Sequence, residues 1–444
     1  MKKYGYGLKV IIIGVLTLLF LIPIAWIKYI VKERQDYQGE AIRSIVAPIG
    51  HSPGFNGFSI NVPYKYVQKA KNDAEIIADG FIHIRPDDYD IDMEISPYTL
   101  KRGIFEVPVF NGQVHIKAKF NNLDISKYNP HETLYEKSRF NIELSDTKFL
   151  TKEPQISING QEVSPSSERN KDNALSYIFP ITDPEKGITV AVTIYFQGGE
   201  SIKIRPVGGS NNTFKVKSNW KDPSFSGAWL PTKRTVNEAG FSAEWNILGF
   251  NTKYGKDCKN SWACEDPYHK DEVSIGIMIP VDSYKKTERA VKYALLFLII
   301  PFLALFICEI FSKTRIHFIQ YGLIGLNDVI FYLLLLSISE QISFNLTYVI
   351  CVLAICAVTF FYGMSIFKSK KWGSILSAVQ LLSYLFLFGL LGAEDYALLI
   401  GSLGLFAIVC ALMFITRKID WYGITQNKKP AQEESIAPKS EPGK

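Results

Sequence analysis

Val291-Lys-Tyr-Ala-Leu-Leu-Phe-Leu-Ile-Ile-Pro-Phe-Leu-Ala-Leu-Phe-Ile-Cys-Glu-Ile-Phe311 settles what kind of molecule this is. Its charges, Lys292 and Glu309, lie near its two ends. At the helical rise per residue the run reaches about 30 Å, the thickness of a bilayer's hydrocarbon core. Four more such runs follow, near Phe318–Ile338, Leu346–Phe367, Gly373–Leu391 and Tyr396–Ile415, and one precedes it, from about Val10 to Ile27. The chain of 444 residues is 47% hydrophobic and 21% charged, but those averages join six apolar runs to one long polar stretch. At ~150 residues per domain the length allows about three domain-sized units. The split excludes an ordinary soluble enzyme, a disordered scaffold and a collagen-like fibre. The net charge of +6 collects where the apolar runs end, which makes nucleic-acid binding a poor reading of it.

The first run has lysines before it, as a signal peptide does. It is too long for such a peptide, no small-residue cleavage site follows, and Trp26, Lys28 and Tyr29 suit a headgroup boundary. An uncleaved anchor is expected. Lys313 and Arg315 separate spans two and three, and Lys368, Lys370 and Lys371 separate spans four and five. Arg417, Lys418, Lys428 and Lys429 follow span six, whereas Ser339–Asn345 and Gly392–Asp395 contain no Lys or Arg. The positive-inside rule therefore predicts six spans, cytoplasmic termini, and an outside location for everything between spans one and two. The expected division is 1–31 as N-terminus and first helix, 32–288 as exported domain, 289–418 as a five-helix bundle and 419–444 as a cytoplasmic tail with a disordered end.

Between spans one and two the period changes to two. Tyr89–Ile95 and Val114–Phe120 alternate strictly, and further strands are predicted at Phe140–Leu144, Ile188–Phe196, Ser201–Ile204, Thr213–Lys217 and Val273–Ile279. Asn159-Gly160 between Ile156–Ile158 and Gln161–Val163 predicts a two-residue hairpin turn. The expected fold is a membrane α bundle plus a large antiparallel β-sandwich-type domain, entered through a helical stalk over Lys32–Ile45. The glycine-rich Gly208–Asn212 is expected as a hairpin loop.

Few residues carry chemical signals. Cys308, Cys351, Cys356 and Cys410 fall inside spans, where a thiol is ordinary packing; Cys258 and Cys264 fall in the exported part and are expected to form a small-loop disulfide. His83 and His115 are read as lying on solvated strand faces beside Arg85 and Lys117, and no metal or cofactor is expected. Trp220, Pro223, Phe225 and Trp229 form an aromatic segment read as an ordered loop, either capping the core or offering a binding platform. Three acids lie in the spans: Asp328 mid-span, Glu309 one turn from Lys313, and Glu340 at an outer end. Such residues are rare in membranes and mark function or pairing. Asp328 is thus a candidate proton or cation site of a transporter, or a packing residue hydrogen-bonded to Ser377, Gln380 or Ser383. A hydrolase is the other alternative, without a recognisable nucleophile or paired-carboxylate motif.

Asn219-Trp220 with Pro223-Ser224-Phe225, Leu230-Pro231 and Gly240-Phe241-Ser242-Ala243-Glu244-Trp245 resembles the CreD inner membrane proteins. So do Glu33-Arg34-Gln35-Asp36-Tyr37, Glu288–Ala294, Gln320-Tyr321, Phe331–Glu340 and Thr416–Tyr422, in order along nearly the whole chain. Asp328 and the Cys258/Cys264 pair stand apart from what the resemblance covers. The resemblance implies a bacterial inner membrane protein of envelope integrity, tied to a two-component regulon that responds to wall stress and β-lactams, with no enzymatic reaction. No defined ligand comes with the resemblance; the partners expected of such a chain are the lipid bilayer and an envelope protein, lipid or cell-wall component.

Overall fold

The computed structural model describes residues 6–69, 75–163, 167–169, 174–252, 257–259, 271–277, 283–393 and 396–417. The chain forms two compact units, one from residues 1–36 with 282–444 and the other from residues 37–281. Among the described residues, six helices are long and apolar enough to cross a membrane.

The helical unit contains most of α1 (Tyr6–Val46), then α2 (Ser283–Lys292), α3 (Ala294–Ser312), α4 (Phe318–Ser339), α5 (Phe344–Phe367), α6 (Lys370–Gly392) and α7 (Ala397–Thr416). The expected spans hold, with one difference. The run from Val291 is not one helix, because the chain turns at Tyr293 and leaves α2 as a separate polar helix burying Tyr284, Thr287, Ala290 and Val291 on one face. α5 and α6 approach closely at their Lys368 ends. A Cβ on Gly373 would come within 2.8 Å of the Met364 backbone nitrogen. Small residues at such crossings let helix backbones touch, which gains dispersion contacts where lipid supplies no hydrophobic drive. Gly325 does the same for α4, since a Cβ there would overlap Phe20 of α1 and Phe302 of α3. These contacts fix the faces of α4 and α6 on which the buried polar groups lie.

The β unit holds two sheets. In the ten-stranded one the order is Pro223–Gly227, Val273–Ile277, Ser201–Ile204, Gly54–Lys69, Arg139–Leu144, Ala174–Ile178 and Ser167–Arg169. Glu75–Ile84 and Glu132–Thr133 also pair with Gly54–Lys69, and Asp257–Lys259 pairs with Glu75–Ile84. The eight-stranded one runs Lys233–Asn237, Gly240–Leu248, Asn211–Ser218, Asp88–Arg102, Phe105–Phe120, Ile188–Gly199, Gln155–Ile158 and Gln161–Val163. Their inner faces meet in one core, where Phe55 of the first sheet lies 5.2 Å from Phe196 of the second and Phe58 lies 5.7 Å from Tyr89. Each buried ring of this kind contributes on the order of 2 kcal/mol by leaving water. Asn159 and Gly160 both have positive φ, 49° and 84°, as the predicted two-residue hairpin requires.

Two details depart from expectation. The sheets are mixed, because Gly54-Phe55 pairs in parallel with Lys203-Ile204 and Asn211–Ser218 pairs in parallel with Asp88–Ile95. Gly208–Asn212 is not a hairpin loop: it carries the chain from one sheet to the other, pinned by the buried Asn212 side chain, which accepts from the Gly208 amide at 2.6 Å and donates to the Gly208 and Ile247 carbonyls at 3.1 Å. Alternation shows which face of a strand is buried but not which strand lies beside it. The stalk is helical as expected, and its last residues, Ile42, Ile45 and Val46, pack on Val107 and Val109. The C-terminal tail expected to be disordered lies outside the described residues.

Candidate functional site

The three membrane acids find three different settings. Glu309, 1% exposed on α3, forms an ion pair with Lys9 of α1 rather than with Lys313 one turn away. Lys313 is the left-handed C-cap of α3, where the helix stops, so the i, i+4 geometry expected from sequence is lost. Glu309 also accepts from the Tyr321 hydroxyl at 2.9 Å and the Ile316 amide at 3.2 Å. Every lone pair that matters is thus used, as a buried carboxylate requires. Glu340, just past α4, accepts from the Tyr284 hydroxyl at 3.0 Å and lies 3.6 Å from the Arg34 guanidinium. Both glutamates fasten α1 to the bundle, one near each end.

Asp328 has no such partner. It is 2% exposed at the middle of α4. Its Oδ1 accepts from the Gln380 amide nitrogen and, at 3.1 Å, from the Tyr384 hydroxyl. Both donors lie on α6, four residues apart and so on one helix face. Among the described residues its Oδ2 has no hydrogen-bond partner, nor do two other buried atoms of this cluster, the Tyr332 hydroxyl and Gln380 Oε1. Of the partners expected for Asn327-Asp328, Gln380 is the one engaged. Ser377 donates to the Cys356 carbonyl, Ser383 to the Val379 carbonyl, and Asn327 reaches Thr359 on α5 at 3.2 Å. Tyr332 and Tyr384 were not anticipated, although the spacing of Asp328 to Tyr332 and of Gln380 to Tyr384 is the i, i+4 of a shared face.

In the β unit, the aromatic segment is not a loop throughout. Pro223–Gly227 is a strand paired with Val273–Ile277, and Phe225 turns its ring onto Phe241 and Trp245 at 5.5 and 5.7 Å. Trp220 and Trp229 are half-buried against the core, and the Trp229 carbonyl accepts from the Trp245 indole at 3.2 Å. These contacts favour core capping; Leu230, 65% exposed, is the apolar side chain beside them that faces water. His115 is exposed as expected. His83 is half-buried on the face opposite the buried Ile82 and Ile84; desolvation there pushes its imidazole down to about 4, and the Arg85 charge adds to the effect. Cys258 lies opposite His83 in the ladder, while Cys264 lies outside the described residues, so their pairing stands as a proposal.

The outer face of the eight-stranded sheet carries a pattern that sequence reading missed. Asp88, Asp90, Asp92 and Glu94 project from one strand, with Lys119, Lys117, His115 and Gln113 directly opposite on one neighbour. Asn211, Thr213, Lys215 and Lys217 stand opposite on the other neighbour. An acidic column between two columns that each carry two lysines among polar residues gives cross-strand attraction and a face rich in donors and acceptors. A shallow groove of about 420 Å³ opens on it between Asp90, Asp92, His115, Lys117, Thr193 and Lys215.

Comparison with known proteins places this architecture. The chain is 30% identical over 439 residues to the inner membrane protein CreD of Escherichia coli (strain K12), covering 94% of each. Among solved structures, an M1 zinc metallopeptidase from Deinococcus radiodurans shares 10% identity over 71% of this chain and 89% of its own, with a TM-score of 0.21, too low to carry any argument. The family model described as inner membrane protein CreD matches residues 5–422. With six apolar helices and a β domain inserted after the first, the chain belongs to the CreD family of multi-pass inner membrane proteins.

Proposed function

We propose that this protein serves the integrity of the cell envelope without catalysing a reaction, and that its β domain, exported to the periplasm, does so by contacting a cell-wall component. The observation that carries the reading is the laddered outer face of the eight-stranded sheet. A wall glycan with peptide stems presents hydroxyls, amides, carboxylates and amines. A surface of alternating acidic and basic columns can meet all four without burying an unpaired charge. The aromatic segment supports the domain from beneath, through Phe225 and Trp229, rather than acting as the contact itself. The six spans tether the domain to the membrane.

The test is a charge-reversed face, Lys117→Glu with Lys215→Glu, in the full-length protein made at its native level. Cells carrying it should lose protection against a β-lactam, while the purified protein still melts cooperatively with only a small loss of stability, since like charges set against Asp90 and Asp92 cost up to about 1 kcal/mol per pair. Full protection by this variant removes the face from the function. Trp229→Ala is the contrast: it should lower the melting temperature, as a side chain packed on the core does.

A further inference from the structure

Asp328 occupies a place that the envelope reading does not use. It is the eleventh of the 22 residues of α4, and α3, α4, α5 and α7 contain no Lys, Arg or His. The basic residues of α6 are Lys370 and Lys371 in its first turn. The titratable side chains on the elements packed around Asp328 are therefore few. Tyr321 and Tyr332 lie on its own helix, Tyr348, Cys351, Cys356 and Tyr362 on α5, and Tyr384 on α6. α3 offers Cys308 and Glu309, the latter held by Lys9, and α1 has no ionisable side chain between Lys9 and Lys28. None of these brings a positive charge to the carboxyl group.

The hydrogen bonds select one protonation state. An ionised carboxylate would crowd two donors onto Oδ1 and leave Oδ2 bare in an apolar interior, with no cation to offset the charge. A neutral acid fits the same contacts. Its carbonyl oxygen is Oδ1, accepting from Gln380 and Tyr384, and its hydroxyl is Oδ2, which then donates. Two acceptors of this cluster lack a partner, Gln380 Oε1 and the Tyr332 hydroxyl. One proton on Oδ2 supplies what the cluster is missing. We propose that Asp328, cradled by Tyr332, Gln380 and Tyr384, is a proton-binding site at the centre of the membrane bundle. Release of that proton places an uncompensated charge between α4 and α6. It therefore requires water or a cation to enter there, which couples proton loss to a change in how the two helices pack.

The test uses full-length protein in liposomes and infrared spectroscopy across pH. The carbonyl stretch of a protonated carboxylic acid is expected at neutral pH, shifting on deuterium exchange and missing from Asp328→Asn. Because Asn imitates the neutral acid in shape and hydrogen bonding, that variant should melt where the wild type does. Should it fail to assemble, labelling the aspartate carboxyl carbon in the wild type identifies the band instead. Three results overturn the proposal: no protonated band at neutral pH, an unchanged band in Asp328→Asn, or a sharply raised melting temperature in that variant, which would signal relief of a buried charge. A carboxylate signal and melting temperature that respond to sodium or potassium would replace the proton with a cation and also overturn it.

Discussion

Replacing Lys9 by Met should destabilise the helical unit through a residue 300 positions away. The change leaves the Glu309 carboxylate 1% exposed with two neutral donors, the Tyr321 hydroxyl and the Ile316 amide. Removing one partner of a buried pair costs about 3–5 kcal/mol. The Lys9 side chain is itself 19% exposed, so the lower end, about 3 kcal/mol, is expected. The double variant Lys9→Met with Glu309→Gln removes both charges, yet the glutamine oxygen still accepts from one of the two donors. It should cost about 1 kcal/mol, the ordinary price of a weakened hydrogen bond. Adding Glu309→Gln to Lys9→Met should therefore restore about 2 kcal/mol of the loss, read from unfolding in bicelles. Lys313→Met is the control, expected within about 0.5 kcal/mol of wild type because Lys313 lies off the end of its helix. The reasoning fails if Lys9→Met costs no more than the control, or if the double variant is as unstable as the single one.

Other consequences can be checked separately. The His83 imidazole titrates near 4 when folded against its ordinary 6.5, so the unfolded chain takes up the proton first. Stability of the β domain should therefore fall as pH drops from about 6.5 to about 4, by at most about 3 kcal/mol and less after solvent screening, and His83→Gln should flatten the profile; identical profiles would refute this. Cys258 and Cys264 should be recovered as one joined peptide by mass spectrometry without reductant, with a stabilisation of roughly 2–3 kcal/mol; two alkylatable thiols in fresh protein would end the idea. Ser343→Cys and Ser369→Cys, with native cysteines blocked, should label from opposite sides of the membrane, and labelling from one side contradicts the six-span topology.

What the sequence made legible was whatever repeats locally. Apolar runs of bilayer length located the spans, and strict alternation over Tyr89–Ile95 and Val114–Phe120 located parts of the longer strands Asp88–Arg102 and Phe105–Phe120, because burial on one face imposes a period on neighbouring residues. Gly54–Lys69 escaped notice although it pairs with four other strands. Gly57 and Pro63 break its pattern, and a register shift between Phe55 and Gly57 absorbs the irregularity. The site was legible only in part. Asp328 stood out as an acid in lipid, but its partners lie 52 and 56 residues ahead, and Lys9 lies 300 residues from Glu309. Such pairs follow from how helices dock, and no periodicity records that.

The outermost strands of the two sheets have a bearing on crowding. Chains confined to one membrane diffuse in two dimensions, so identical domains meet far more often than they would free in solution. An open sheet edge under those conditions is a template for adding a neighbour's strand. Here one edge begins at a proline, Pro223, and spans five residues; Ser167–Arg169 and Gln161–Val163 span three each. The other end of the eight-stranded sheet, Lys233–Asn237, is exposed along its whole length but opens with Lys233-Arg234, whose like charges repel the same strand of another copy. Short, proline-started and charged strands at these four ends disfavour strand addition there. A neutral, apolar Lys233–Asn237 would be the change that converts a well-folded membrane protein into one that accumulates as aggregates.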